Sequence, residues 1–544
     1  MQTVSKAWKN VHRQTLLNES YVEVSLDIAD PDSLAEATVE DNGSLYISNT
    51  PEIVDEIDTP VEPYGTLEQN IWLLNGSRKS IPEMDYIKGG YVGDVLSNEE
   101  CIFDTKIPTA TINFKTVHTK IIPGVTISWG TAYNEYAVHF IVTAYKGSTI
   151  MAKKEIIDNK SVTSVVEMDI SNYDRITIHI LSWCLPHRRA RIDEIFVGIR
   201  KVYSKADLMS YSHKQIVDPI STSLPKMEIR FSIDNSDDSY NPYNLNGLAK
   251  YLTERQEVKT RYGLKMNDGM VEWVKGGSFY LSEWYAKQNG ISADFVARDL
   301  LEFMSVHYKD DASEYSDTPT GKFKDRSLYD LATQVFMAAD LPLTDDGSLR
   351  WIIDKSLEDI YTTAPLPDDT LANCLQLIAN AAGCVLYPDR DGVFHIEPMS
   401  AVSTDYEINK FNSYSKSEIT FSKPIKQVVV KKYAYTVGEK EIESSTTEVT
   451  SNVGEMGETI IVDNPLITDS PLNIDDRASV VGEWIGNYLK NRMTLKSTVR
   501  ADVRLDALDI VTHENDYGTN KVCTTDVEFV FNGAFRGTSE GRVI

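Results

Sequence analysis

Three groups of residues have types and spacings that invite chemistry. Trp129, Tyr133, Tyr136 and Trp183 fall within a stretch rich in Val, Ile and Thr. Aromatic rings pair an apolar face with a polar rim and stack on sugars, so they are glycan-binding candidates when a β-sandwich presents them. Tyr133 and Tyr136 lie in or beside the expected loop 130–135 and are the better placed. Trp129 and Trp183 end expected strands, where large rings more often join a core. His179, Cys184 and His187 are zinc-ligand types, but no second ligand cluster is near them in sequence. His179 also alternates with Ile178 and Ile180, as a strand residue does. Asp234, Ser236 and Asp238 have the first spacings of a calcium loop. Ser239 stands at its glycine position, however, and Leu245 at its closing glutamate, which leaves a side-chain-capped turn.

The chain shows no H-E-x-x-H, Walker or G-x-G-x-x-G string. In so acidic a sequence no carboxylate pair stands out as a glycosidase pair. No catalytic residue, metal or cofactor is therefore assigned.

The elements that would position these residues are mostly strands. The 544 residues carry a formal charge of −27, with 42% hydrophobic and 25% charged residues. That composition suits a globular chain of about three to five domains. The acidity argues against a duplex-binding surface and against sequence-specific nucleic-acid recognition. No apolar run reaches transmembrane length and no hydrophobic signal core opens the chain, so synthesis in a cytoplasm is expected. Cys101, Cys184, Cys374, Cys384 and Cys523 are odd in number and never in C-x-x-C spacing, which predicts free thiols.

The stretch 224–302 organises the rest. Met227, Ile229, Phe231 and Ile233 alternate with polar residues as a half-buried strand, and the turn formers of 235–242 break it. Further strands are expected near Val258, over 276–284 and over 290–301. Residues 91–203 read as short strands at the spacing of a sandwich or jelly roll. After Met304 two helical stripes appear: Leu328, Leu331, Ala332, Val335 and Phe336, then Leu371, Cys374, Leu375, Ile378 and Ala379. A hairpin turn at 389–392 follows. From Ile419 the chain is β again, apart from a helix near 474–489.

"FSIDNSDDSYNP", "YLTERQ", "GSFYLSEW" and "ARDLLEFM" resemble the core of phage tail hub proteins. This family is also labelled prophage tail endopeptidase and includes contractile baseplate hubs. "YGTLEQNIWLLNGS", the hairpin "DRDG" and "VRLDALDIVTHENDYG" are similar to other hub segments. The resemblance implies a mainly β chain with α+β modules. Two tail-tube-like β-barrel domains would be made of 1–90 with 204–305, and of 410–544. A carbohydrate-binding-like sandwich at 91–203 would be inserted within the first, and a small α/β module at 306–409 would lie between the two. It implies a structural homotrimer in the virion, at the tail tip or baseplate. The expected partners are the tail tube, distal tail, tape measure or tip proteins, with a host cell-surface glycan as candidate ligand of the insert. The ring would gate the channel for genome ejection. A tail-associated endopeptidase or cell-wall hydrolase is the alternative, as is receptor binding through the insert. Longer relatives carry a downstream peptidase or lysozyme domain, which this sequence, ending at Ile544, is expected to lack.

Overall fold

The computed structural model describes residues 1–14, 18–40, 50–54, 68, 90–286, 290–309, 316–317, 322–344, 348–399, 403–437 and 442–544. The expected strand at 45–47 lies outside these, as does the segment 64–77 apart from Glu68. The chain is mainly β.

A short helix α1 (Lys6–His12) opens the chain, capped where Ser5 Oγ accepts from the Trp8 amide. Strand β1 (Ser20–Ala29) follows. Asp30 caps α2 (Pro31–Glu36), and the chain enters the insert. Its strands are β2 (Tyr91–Leu96), β3 (Thr109–His118), β4 (Ile122–Trp129), β5 (Ala137–Lys146), β6 (Thr149–Ile156), β7 (Thr163–Ile170), β8 (Tyr173–Trp183) and β9 (Arg189–Phe196). They form two sheets, β2-β9-β4-β7 and β3-β8-β5-β6, the second extended by Thr38–Val39 beside β3. The alternating apolar residues of both sheets meet in one core with Ile53, Trp129, Phe140 and Trp183.

The insert was expected to run from 91 to 203. Its core instead draws in Ile53, Leu34 and Val39 from upstream, and β10 (Gly198–Tyr203) leaves it to pair with β1. The insert thus enters and leaves through neighbouring strands. The tight point is Gly198 at φ 158°, where a Cβ would lie 2.7 Å from both Ala29 Cβ and Ile28 O. Only glycine accepts that approach.

The next strands are β11 (Leu208–Ile216), β12 (Lys226–Asp234), β13 (Glu257–Lys265), β14 (Val271–Ala286) and β15 (Ser292–Arg298). The α/β module then supplies α3 (Leu328–Ala339) and α4 (Leu371–Ala382), with β16 (Trp351–Ile353), β17 (Val385–Pro388) and β18 (Phe394–Glu397). Ser327 caps α3 as its spacing predicts, and Gly383 ends α4 in the left-handed conformation. After β19 (Ser403–Ile408) and β20 (Glu418–Phe421) come β21 (Ile425–Val437), β22 (Ile442–Asn452), β23 (Glu458–Val462) and α5 (Arg477–Lys490). The chain closes with β24 (Met493–Arg500), β25 (Ile510–Asn515), β26 (Gly518–Phe531) and β27 (Phe535–Val543).

Two separate barrels were expected, but among the described residues no sheet closes. The strands of both instead join one 13-stranded sheet in the order β10-β1-β13-β14-β15-β12-β11-β26-β27-β24-β20, with β25 beside β26 and β19 beside β25. One apolar core, from Val22 and Phe231 to Phe529 and Phe535, underlies both halves. The expected boundary at 409 also does not follow the packing. Val428, Val430, Val481 and Ile485 of the 425–490 segment share a core with α3 and α4.

Within the large sheet, five strands recur. The order β13-β14-β15-β12-β11 in the first half matches β25-β26-β27-β24-β20 in the second, in the same chain order and with every neighbouring pair antiparallel. The N-terminal helix ties onto the second half. Trp8 and Val11 are buried in the shared core, His12 Nε2 lies 3.0 Å from Ala501 O, and Arg500 donates to the carbonyls of Gln14 and His12.

Candidate functional site

The end of the sandwich near loop 130–135 holds all four glycan candidates, and the structure divides them. Trp129 and Trp183 are 0% and 1% exposed and pack edge to face, with ring centroids 6.1 Å apart. Trp129 Nε1 donates to Ser164 Oγ at 2.8 Å, and Trp183 Nε1 to Glu135 Oε2 at 2.9 Å. Both are core residues with satisfied polar tips, and neither offers a face to a sugar. Tyr133 ends the short turn Thr131–Tyr133 and is half-buried, with the Arg191 guanidinium 4.8 Å from its ring centroid. Tyr136 is half-buried against the sandwich core.

Beneath the loop lies a buried charged cluster. Arg188 Nε donates to Glu135 Oε1 at 2.9 Å, and Arg191 pairs with Glu68. Asp193 Oδ2 accepts from the Thr131 amide at 2.7 Å, while burial pushes its carboxyl up. These charges fix the loop and present Tyr133 above it. Sequence reasoning missed the cluster because Glu68 and Glu135 lie far along the chain from Arg188, Arg191 and Asp193.

The other sets do not assemble. His179 Nδ1 meets Thr109 Oγ1 at 2.8 Å, and the Cys184 thiol accepts from the Tyr136 amide. Among the described residues no group of three His, Cys, Asp or Glu is placed to hold a metal. Asp234, Asn235 and Asp237 accept from the amides of Ser236, Tyr240 and Ser239, so the calcium-like string is a capped turn. The described cysteines are free.

A serine–histidine contact does exist in the second half of the sheet. His513 Nε2 lies 2.8 Å from Ser417 Oγ and 2.9 Å from Ser497 Oγ. Its Nδ1 is buried without a partner, so no carboxylate orients the ring as a general base requires. Gly537-Thr538-Ser539-Glu540-Gly541 has nucleophile-elbow spacing. Ser539 is buried in the middle of β27, however, and does not sit on a strand-to-helix turn.

No protein-family model and no curated protein matches the chain. It is similar in structure to the 43 kDa tail protein of prophage MuSo2 from Shewanella oneidensis, at 12% identity and a TM-score of 0.39, over 63% of this chain and 95% of that one. It is similar also to a tail protein from Neisseria meningitidis, at 10% identity and a TM-score of 0.39, over 63% and 93%. A third similar structure is an Escherichia coli component of the type VI secretion system, at 8% identity and a TM-score of 0.33, over 62% and 74%.

The other densely polar place is the joint between the sheet halves. There β11 lies antiparallel to β26, pairing His213 with Phe529, Lys214 with Glu528 and Ile216 with Asp526. Lys214 Nζ is 3.2 Å from Asp526. His213 is fully buried, and that burial pushes its pKa down to about 3. Its Nδ1 is 2.7 Å from the Tyr262 hydroxyl, which is 2.7 Å from the Tyr211 hydroxyl. Arg390, from the hairpin before β18, reaches in to Asp506 at 2.6 Å and donates to Leu505 O at 3.0 Å. Gln215 donates to Asp506 Oδ1 and accepts from the Ala507 amide. This arrangement locks the two halves and the α/β module together. Its side chains are engaged with one another across the joint. No described helix is long and apolar enough to cross a membrane.

Proposed function

We propose that the chain is a structural hub of a phage or phage-like tail. Three copies form a ring that joins the tail tube to the tip and gates the channel for DNA ejection. The observation that carries this reading is the repeated five-strand unit, present twice in one chain and joined edge to edge. Three copies then supply six similar units, which matches a sixfold tube to a threefold tip. The resemblance of 224–302 to tail hubs points the same way. The net charge of −27 suits a channel wall that must release nucleic-acid phosphates rather than hold them.

In this reading the inserted sandwich is a jelly roll. The strand orders β2-β9-β4-β7 and β3-β8-β5-β6 support it, being the order of two interlocked Greek keys. Host glycan binding is assigned to Tyr133 with Tyr136, because they alone of the four aromatics reach solvent. The hydrolase reading has no comparable support, since the Ser417–His513 contact lacks an orienting acid.

Light scattering with negative-stain imaging of the full chain tests the hub. A three-copy ring with a central pore is expected. A stable dimer, or tails carrying six copies of the chain, would overturn it.

A further inference from the structure

The repeat makes the two halves of the sheet comparable residue by residue. In β14 the ladder to β15 slips between Leu281 and Glu283, and in β26 the ladder to β27 slips between Thr524 and Asp526. Those bulges align Glu283 with Asp526, Trp284 with Val527, Tyr285 with Glu528 and Ala286 with Phe529. Following the registers onward aligns His213, Lys214, Gln215 and Ile216 of β11 with Ile419, Thr420, Phe421 and Ser422 around β20.

Within one chain, β11 covers the edge of β26 over Asp526–Phe531, where β25 has ended. The counterpart edges are both open among the described residues. β20 pairs with β24 alone. β14 pairs with β13 only as far as Tyr280, and beyond the bulge only with β15. Ile419 and Phe421 are 54% and 64% exposed on an edge strand, an arrangement that invites another strand. Trp284 and Ala286 are only partly buried, at the rim of the shared core.

We propose that β20 of one copy docks antiparallel on the edge of β14 in a second copy, repeating between chains the joint that β11 makes with β26 inside one. The same register pairs Ile419 with Ala286, Thr420 with Tyr285, Phe421 with Trp284 and Ser422 with Glu283. Ile419 and Phe421 then take the inward positions that His213 and Gln215 hold within the chain. Apolar contact there replaces the His213 and Gln215 polar contacts, and Thr420 with Glu283 stands where Lys214 pairs with Asp526. The contact is head-to-tail, so its repetition closes into a ring or grows into a fibre. It rests on the hub reading only for the number of copies.

Cysteine pairs in the full chain test it. Residues opposite each other on antiparallel strands have Cα atoms about 4.5–5.5 Å apart, within disulfide reach. Thr420→Cys with Tyr285→Cys is expected to give a ladder of covalent oligomers on mild oxidation, and mixed single variants a covalent dimer. Lys214→Cys with Glu528→Cys, which bridges the joint inside one chain, is the positive control. Phe421→Asp, at an exposed position, is expected to abolish the ladder without moving the melting temperature. A control that oxidises while the 420–285 pair yields no ladder overturns the proposal. A three-copy ring that forms without the 420–285 link overturns this contact and keeps the hub. Linked chains that image as open fibres keep the contact and overturn the three-copy ring.

Discussion

His213 Nδ1 lies 2.7 Å from the Tyr262 hydroxyl, with both side chains fully buried where the two sheet halves join. The imidazole is neutral there, its pKa pushed down to about 3 by burial, with the Arg390 charge adding to the effect and Asp506 opposing it. In the unfolded chain it titrates near about 6.5. The unfolded state therefore binds a proton that the native state refuses. The stability from this group is complete above about pH 6.5 and is lost as the pH falls towards about 3, by about 1.4 kcal/mol per unit. Denaturant titrations across that window are expected to show a flatter slope for His213→Gln than for the parent. Equal slopes would mean that His213 is not buried neutral.

Tyr262→Phe removes the hydroxyl shared by His213 and Tyr211. A loss of about 1–3 kcal/mol is expected, from a buried acceptor and donor left unmet. No change in the unfolding midpoint would place a water in the gap.

Loop 130–135 separates binding from stability. Tyr133→Ala, at a half-buried loop position, is expected to change stability by only about 0.5 kcal/mol, yet to clear a glycan array on which the parent protein binds. Trp129→Ala, in the core, should cost about 3–5 kcal/mol. Glu135→Ala strands Arg188 and Trp183 Nε1 and should cost about 3–5 kcal/mol. A blank array for the parent would leave the loop a purely structural part.

The insert is expected to melt cooperatively on its own when cut at 30–197. The shorter piece 91–203 lacks Ile53, which is fully buried in the sandwich core. It should lose about 2–5 kcal/mol, the usual cost of emptying such a position. Equal melting of the two pieces would show that the upstream segment is dispensable.

The purified chain is expected to cleave neither peptidoglycan nor peptides. Hydrolysis abolished by Ser417→Ala or His513→Ala would show that the buried histidine finds its acid elsewhere.

Strand and helix periodicity made much of this architecture legible. The stripe from Leu328 to Phe336 and the alternation from Met227 to Ile233 both correspond to observed elements. Their local residues decide which side is buried. The merging of two expected barrels into one sheet was not legible, because β11 and β26 meet across some three hundred residues and neither sequence names its partner. The boundary at 203 misled for a related reason. Residues 198–203 are as rich in strand formers as the sandwich, and only pairing with β1 assigns them elsewhere. At the candidate site, residue type singled out Tyr133, but the Arg191–Glu68 pair beneath it has no local signature.

The docking of His12 against Ala501 spans 489 residues. Ribosomes add about 5–20 residues per second, so the helix carrying Trp8 and Val11 waits about 25–100 s before its binding surface exists. Through that interval an apolar segment stays exposed on a nascent chain whose first sheet half can already fold. Closure of the shared core over this helix thus waits for the second half of the sheet, and folding yield should depend on how quickly those strands reach the first helix.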